Sequence, residues 1–321
     1  MRRAFEETLY QLAAQDERVI FLTGDLGYQV FDRFQRKFGR RYVNVGVAEA
    51  QLVNAAAGLA AEGWRPVAYS IAAFATARPY EQIKISVCYP HLPVIIVGAG
   101  GGFTYASSGV THHAADDLAL MCTLPGMSVV APGCPDELRQ LMPQMVSAAR
   151  PFYLRIGKFG EKDYKGATEA TLGQARRIRD GQRIALISTG DIASEVLEAV
   201  TALEAEGIVP LFYQFHTVKP LDLEAIEELS RRVAAIVVVE EHGLYGGLFS
   251  GLCHIKAMHN YDFKLYRLGA PDEFILGNPS RREIRSRLGV DAKAVRQTCR
   301  EAWNDAAGDE TKRICLPKDA R

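Results

Sequence analysis

Short apolar runs separated by helical patterns fill the first half of the chain. Val19–Leu22, Tyr42–Val45, Pro66–Tyr69, Val94–Val97, Ser128–Val130 and Phe152–Arg155 read as strands, and Ala48–Ala61, Ala75–Cys88, Asp117–Met121 and Pro135–Ala148 read as helices. Such alternation is the pattern of a parallel sheet with crossover helices. The small residues of Ala48–Ala61 predict a helix packed closely on its neighbours. From Gly166 to Gly181 the pattern gives way to polar residues, a linker or hairpin. A second series follows, with strands at Ile184–Gly190, Val209–Phe215 and Ala235–Val239 and helices at Ser194–Glu206 and Leu223–Arg231. The expected fold is α/β, with two consecutive domains of mostly parallel sheet flanked by helices. They span residues 1–165 and 183–307, with a linker at 166–182 and a polar tail at 308–321.

The chain's 321 residues suit two domains, and 48% apolar with 24% charged residues is a globular composition. Lys and Arg number 38, as do Asp and Glu, so no net field draws the chain to nucleic acid or to an anionic membrane. A bound anion must be met by local groups. The six cysteines lie far apart with no C-x-x-C pair, which predicts reduced thiols. The start, Met1-Arg2-Arg3-Ala4-Phe5, leads into a helical pattern without a signal peptide's apolar region, and a cytoplasmic location is expected.

Four places carry candidate chemistry. Glu49 follows the Tyr42–Val45 strand at the start of an Ala-rich helix. It reads either as a helix-capping acid or as a partly buried acid at the carboxyl end of a parallel strand, where open α/β sheets bind ligands. Gly98-Ala99-Gly100-Gly101-Gly102-Phe103 lacks the spacing of a dinucleotide fingerprint, and reads as a loop that lets a ligand approach the backbone or as a plain turn. His112 and His113 stand beside Asp116 and Asp117. Adjacent side chains diverge, so proton donors or hydrogen-bond donors in a loop, or a surface pair, fit better than a shared metal. Arg155 ends a strand and Arg2 opens the chain, and either can grip a phosphate or do nothing specific.

The ordered set of motifs resembles the carboxyl-terminal half of transketolase, and particularly the small subunit of split, two-chain transketolases. The resemblance runs through Gly24-Asp25-Leu26-Gly27, Asn44-Val45-Gly46-Val47-Ala48-Glu49, Phe74 to Ile83, Gly109-Val110-Thr111-His112, Pro125 to Pro132, Tyr153-Leu154-Arg155 and Glu240 to Gly247. It implies a pyrimidine-binding domain and a carboxyl-terminal domain working on thiamine diphosphate. Glu49 would hydrogen-bond N1′ of the aminopyrimidine, favouring the imino form whose exocyclic nitrogen removes the thiazolium C2 proton. By the same resemblance Phe74 stacks on the pyrimidine, with Ile71 and Ala77 where aromatics are frequent, and Asp25 supports the cofactor and the subunit contact. His112 faces substrate hydroxyls and moves protons, His113 stands where Gln is common, and Arg155 and Arg2 match phosphate-holding positions. Ser108 and Ser107 replace acidic residues, and Gln29 replaces a Ser, which leaves open a specialised ketose or acceptor.

The family's G-D-G motif, followed by Asn, anchors the diphosphate through Mg²⁺, but this chain has Gly24-Asp25-Leu26 instead. No metal ligand is therefore expected here. The resemblance implies a separate subunit carrying the Mg²⁺ and diphosphate site, an α2β2 assembly, small sugar phosphate substrates, and no nucleic-acid or membrane partner. Rival readings are the β subunit of a 2-oxo acid dehydrogenase E1 component and a catalytically silent subunit. Deoxyxylulose phosphate synthase shares the pieces but carries the missing half in the same chain.

Overall fold

The structure, a computed structural model, describes residues 1–158, 160–166 and 168–314. In its first half, β1 (Val19–Thr23), β2 (Tyr42–Asn44), β3 (Arg65–Ile71), β4 (Ile95–Ala99), β5 (Ser128–Val130) and β6 (Phe152–Ile156) form one parallel array. Around it lie α1 (Arg2–Gln15), α2 (Asp32–Phe38), α3 (Glu49–Ala61), α4 (Ala72–Ala77), α5 (Tyr80–Gln82), α6 (Asp117–Cys122) and α7 (Pro135–Ala148). Every residue of β1 is buried because helices cover both faces of the sheet. Phe21 packs with Phe5 of α1 and Leu141 of α7 on one face, and Leu22 with Leu52 and Ala56 of α3 on the other.

The second half holds β7 (Arg176–Arg179), β8 (Arg183–Ser188), β9 (Leu211–Gln214), β10 (Thr217–Lys219), β11 (Val233–Val239) and β12 (Lys264–Leu268). Its helices are α8 (Ala193–Glu204), α9 (Leu223–Arg232), α10 (Leu248–His259), α11 (Arg281–Arg287) and α12 (Ala292–Ile314). A five-stranded sheet runs β12-β11-β8-β9-β7. β10 leaves this half and pairs antiparallel with β5, completing a seven-stranded first sheet. Among the described residues, no helix is long and apolar enough to cross a membrane.

The expected helix Ala75–Cys88 is broken. α4 ends before Pro79, whose missing N–H and ring disrupt the helical ladder, and the chain resumes as α5 and a π-helical turn, Ile83–Cys88. The expected linker 166–182 includes an edge strand. In β7, Arg176 and Ile178 turn inward, and buried Arg176 meets Glu137 of α7 at 3.3 Å, so a polar composition concealed a period-two pattern. The expected tail from 308 continues as helix to Ile314, and residues 315–321 lie outside the described residues.

A buried network of charge joins the two halves. Glu241, after β11, accepts from Arg281 Nη2 at 2.8 Å and from the Phe103 N–H at 3.1 Å, and also binds Arg285. Arg281 reaches on to Asp191 at 2.8 Å, and Arg155 Nη2 donates to the Glu241 carbonyl at 2.9 Å. Burial opposes the charge on Glu241, but Arg281 and Arg285 outweigh it and hold its carboxyl below the usual range.

His242 completes the joint. Its Nε2 accepts from the Ala119 N–H at 3.2 Å and its Nδ1 donates to the Gly243 carbonyl at 3.1 Å, which fixes a neutral ring. Burial, followed by the charge of Arg155, pulls its pKa down to about 3. An unfolded histidine titrates near 6.5, so below about pH 6 the unfolded chain binds the extra proton and stability falls as pH falls. His242 is expected to contribute a slope of about 1.4 kcal/mol per pH unit between about pH 6 and pH 4. Denaturant titrations of wild type and His242→Gln across that range test this; parallel pH curves for the two proteins would refute it.

Candidate active site

The candidate residues converge because parallel strands end on one side of the sheet. Asp25 follows β1, Glu49 follows β2, Ile71 ends β3 with Phe74 just beyond, the loop after β4 carries His112, and Arg155 and Lys158 lie at the end of β6.

Glu49 opens α3 with its side chain only 5% exposed. Arg78 Nη1 donates to both carboxylate oxygens, at 3.1 and 3.0 Å. The Arg78 guanidinium lies over the Phe74 ring, 3.8 Å from its centroid, a stack favoured by their i, i+4 spacing. His112 meets the Phe74 ring edge-on at 5.0 Å and shares a hydrogen bond with the Thr111 hydroxyl at 2.9 Å. Burial first, then the positive charges of Arg78 and Lys158, lower the His112 pKa. Both effects favour the neutral ring.

Tyr105 extends the cluster. Its ring lies 5.8 Å from His112, and Lys158 Nζ sits 3.9 Å over it. Arg2 hydrogen-bonds Tyr69 and adds its charge beside Tyr105 and Lys158, with the Lys158 pKa lowered by burial and by Arg2. Arg2 and Lys158 thus put positive charge beside Tyr105, while the charge of Arg78 is met by Glu49.

The remaining candidates divide. Asp25, at φ 58°, accepts from Asn44 Nδ2 at 2.9 Å through Oδ1, while Asn44 Oδ1 accepts from the Asp25 and Gly46 N–H groups, each at 3.0 Å. This lattice shapes the turn leading to Glu49. Ile71 is buried at the sheet edge of the site, and Ser108 is exposed in a short 3₁₀ turn. His113 points away from His112. It donates to the Ala106 carbonyl at 3.2 Å, meets Phe103 edge-on at 5.2 Å and borders a separate cleft of about 280 Å³ beside Gly243 and Phe274.

Arg155 is 6% exposed and sits beneath the site between the two halves, 3.4 Å from Asp117. The glycine run accommodates it. A Cβ on Gly101 would strike Arg155, and one on Gly102 would lie 2.6 Å from Glu241 and 2.7 Å from Arg155. The missing side chains admit the chain's own charged groups to the backbone of a run that read either as a ligand-approach loop or as a plain turn. Gly102 and Ala114 then bridge as a two-residue antiparallel pair and close the loop that carries His112.

Arg78, Tyr105 and Lys158 escaped sequence reading. The only signal for Arg78 was its place one helical turn after Phe74, while Lys158 lies three residues beyond Arg155. Replacing Lys158 with Met is expected to raise the His112 pKa toward 6.5 by removing a neighbouring charge. An imidazole NMR titration tests this, and an unchanged or lower midpoint would contradict it.

Residues 1–159 match the family described as transketolase, pyrimidine binding domain, and residues 173–295 match transketolase, C-terminal domain. The chain is 31% identical to one of the subunits of the apulose-4-phosphate transketolase of Phocaeicola vulgatus, over 94% of this chain and 96% of that protein. It is 33% identical to 1-deoxy-D-xylulose-5-phosphate synthase 1 of Geobacter sulfurreducens, covering 98% of this chain but 50% of that protein. Among solved structures, one described as a split gene transketolase, inactive beta4 tetramer, superposes with a TM-score of 0.84 at 29% identity, covering 94% of this chain and 97% of that one.

Proposed function

The chain belongs to the transketolase family, and on that premise we propose that it is the carboxyl-terminal-half subunit of a two-chain transketolase. With a partner it transfers a two-carbon ketol unit from a ketose, phosphorylated at its far end, to an aldehyde acceptor. One observation carries this reading: a buried carboxylate, an aromatic face and a neutral imidazole converge at the carboxyl ends of parallel strands. The E1 β-subunit reading shares the two-domain layout and the acid after an apolar strand, and the Thr111-His112 and Gly24-Asp25-Leu26 contexts favour the transketolase reading over it.

The family depends on thiamine diphosphate, and the residues present fit its aminopyrimidine. Glu49 and Phe74 already hold a planar N–H donor between them, the guanidinium of Arg78. When bound, the cofactor would supply a nucleophilic carbon and an electron sink for ketol transfer. Glu49 holds a proton at N1′, and Phe74 fixes the plane of the ring. Neutral His112 takes a proton from a substrate hydroxyl and returns it. Arg2 and Lys158 meet the anionic end of the sugar, which the phosphate in the name of the apulose-4-phosphate relative supports. Asp25 orders the Glu49 turn. Ser108 and Ile71 border the approach, His113 faces the separate cleft beside Gly243, and Arg155 acts from beneath by bracing the loop.

Mg²⁺ and the diphosphate are assigned to the partner subunit in an α2β2 assembly. The split-gene relative's description as an inactive beta4 tetramer favours a need for a second chain.

The purified chain with thiamine diphosphate and Mg²⁺ is expected to show no ketol transfer until the partner is added; turnover by the chain alone would overturn the split assignment. In the assembled enzyme, Glu49→Ala is expected to lower kcat by roughly 10²-fold or more, the scale of a lost acid–base group, with circular dichroism unchanged. Retention of more than about 10% of activity would defeat the role given to Glu49.

A further inference from the structure

Glu49 presents a problem that the ligand-free chain must solve. A carboxylate with 5% exposure and no partner loses most of its hydration, and an uncompensated buried charge is strongly destabilising. The chain solves it internally. Arg78 gives Nη1 to both oxygens of Glu49 while its planar guanidinium lies 3.8 Å above the Phe74 ring.

These two contacts are the recognition elements that the proposed site offers an aminopyrimidine: an acceptor for a ring N–H and an aromatic face for stacking. The Arg78 side chain remains 48% exposed, so it reaches the slot from the solvent side and has room to leave. Pro79 ends the helical ladder immediately after it, which leaves Arg78 at a helix end.

We infer that Arg78 is a built-in occupant of the pyrimidine slot, holding Glu49 and the face of Phe74 until a planar N–H donor displaces it. This rests on the proposed thiamine diphosphate site but adds to it a competitor within the same chain. Displacement exchanges one partner of Glu49 for another, so the carboxylate is never buried alone. The ligand's apparent affinity is reduced by the fraction of molecules in which Arg78 occupies the slot.

Arg78→Met keeps an unbranched apolar stem that ends short of the guanidinium position, so it removes every donor and frees the face of Phe74. In the assembled two-chain enzyme with Mg²⁺, calorimetric titration should show thiamine diphosphate binding about tenfold tighter or more than in wild type, equal to about 1.4 kcal/mol. Stopped-flow mixing should place the gain in the association rate. The variant chain alone should melt at a lower temperature than wild type, because Glu49 has lost its partner. Arg78→Lys, which keeps the charge without the planar fork, should bind between the two.

Unchanged or weaker binding by Arg78→Met, with the cofactor still bound, would overturn the displacement and leave the site assignment standing. Failure of wild type and both variants to bind thiamine diphosphate would overturn both.

Discussion

The fixed point of this structure is a carboxylate that cannot be buried without its arginines. Glu241 lies 3% exposed between Arg281 and Arg285, with Asp191 sharing Arg281. Removing one partner from such a buried pair typically costs about 3–5 kcal/mol, comparable with much of a domain's net stability. The ions therefore hold together, and what they touch is held with them. Glu241 also takes the Phe103 N–H, and its carbonyl takes Arg155, so the loop after β4 is fixed from the second half of the chain. Gly101 and Gly102 make that approach sterically permissible.

The same logic governs the candidate site, where buried charge is again met from within. Glu49 is held by Arg78, whose other face rests on Phe74, while His112 is kept neutral by burial and by nearby positive charge. An acid paired with a cation stands beside an imidazole whose charged form is disfavoured, and the two groups have distinct surroundings. The Glu241 cluster supports this arrangement indirectly, because the loop it braces is the one that carries His112.

The joint between the halves is more than contact between finished domains. β10 extends the first sheet antiparallel to β5, and the Gly243 N–H donates to the Ala115 carbonyl at 2.7 Å. The run Glu240–Gly243 directly follows β11. In the fold it braces the loop after β4 and the helix that follows: Glu241 takes the Phe103 N–H of the loop, His242 takes the Ala119 N–H of α6, and Glu240 accepts from the N–H groups that start α10.

The sequence by itself determined the six parallel strands of the first half, β8, β9 and β11 of the second, and the family resemblance, because apolar periodicity and ordered motifs are local properties; it left β7, β10 and β12 unread. It also placed Glu49, Phe74 and His112 as candidates, since each follows a legible strand or lies in a matching motif. Tertiary structure alone decided what those residues meet. Arg78 pairs with Glu49 across 29 positions of sequence, and Glu241 reaches Phe103 across 138. Arg155 looked available for a ligand phosphate but is buried as a brace, and the polar stretch holding Arg176 became a strand because Glu137 awaited it. Charges find their partners through space, and no one-dimensional pattern records which distant carboxylate an arginine will neutralise.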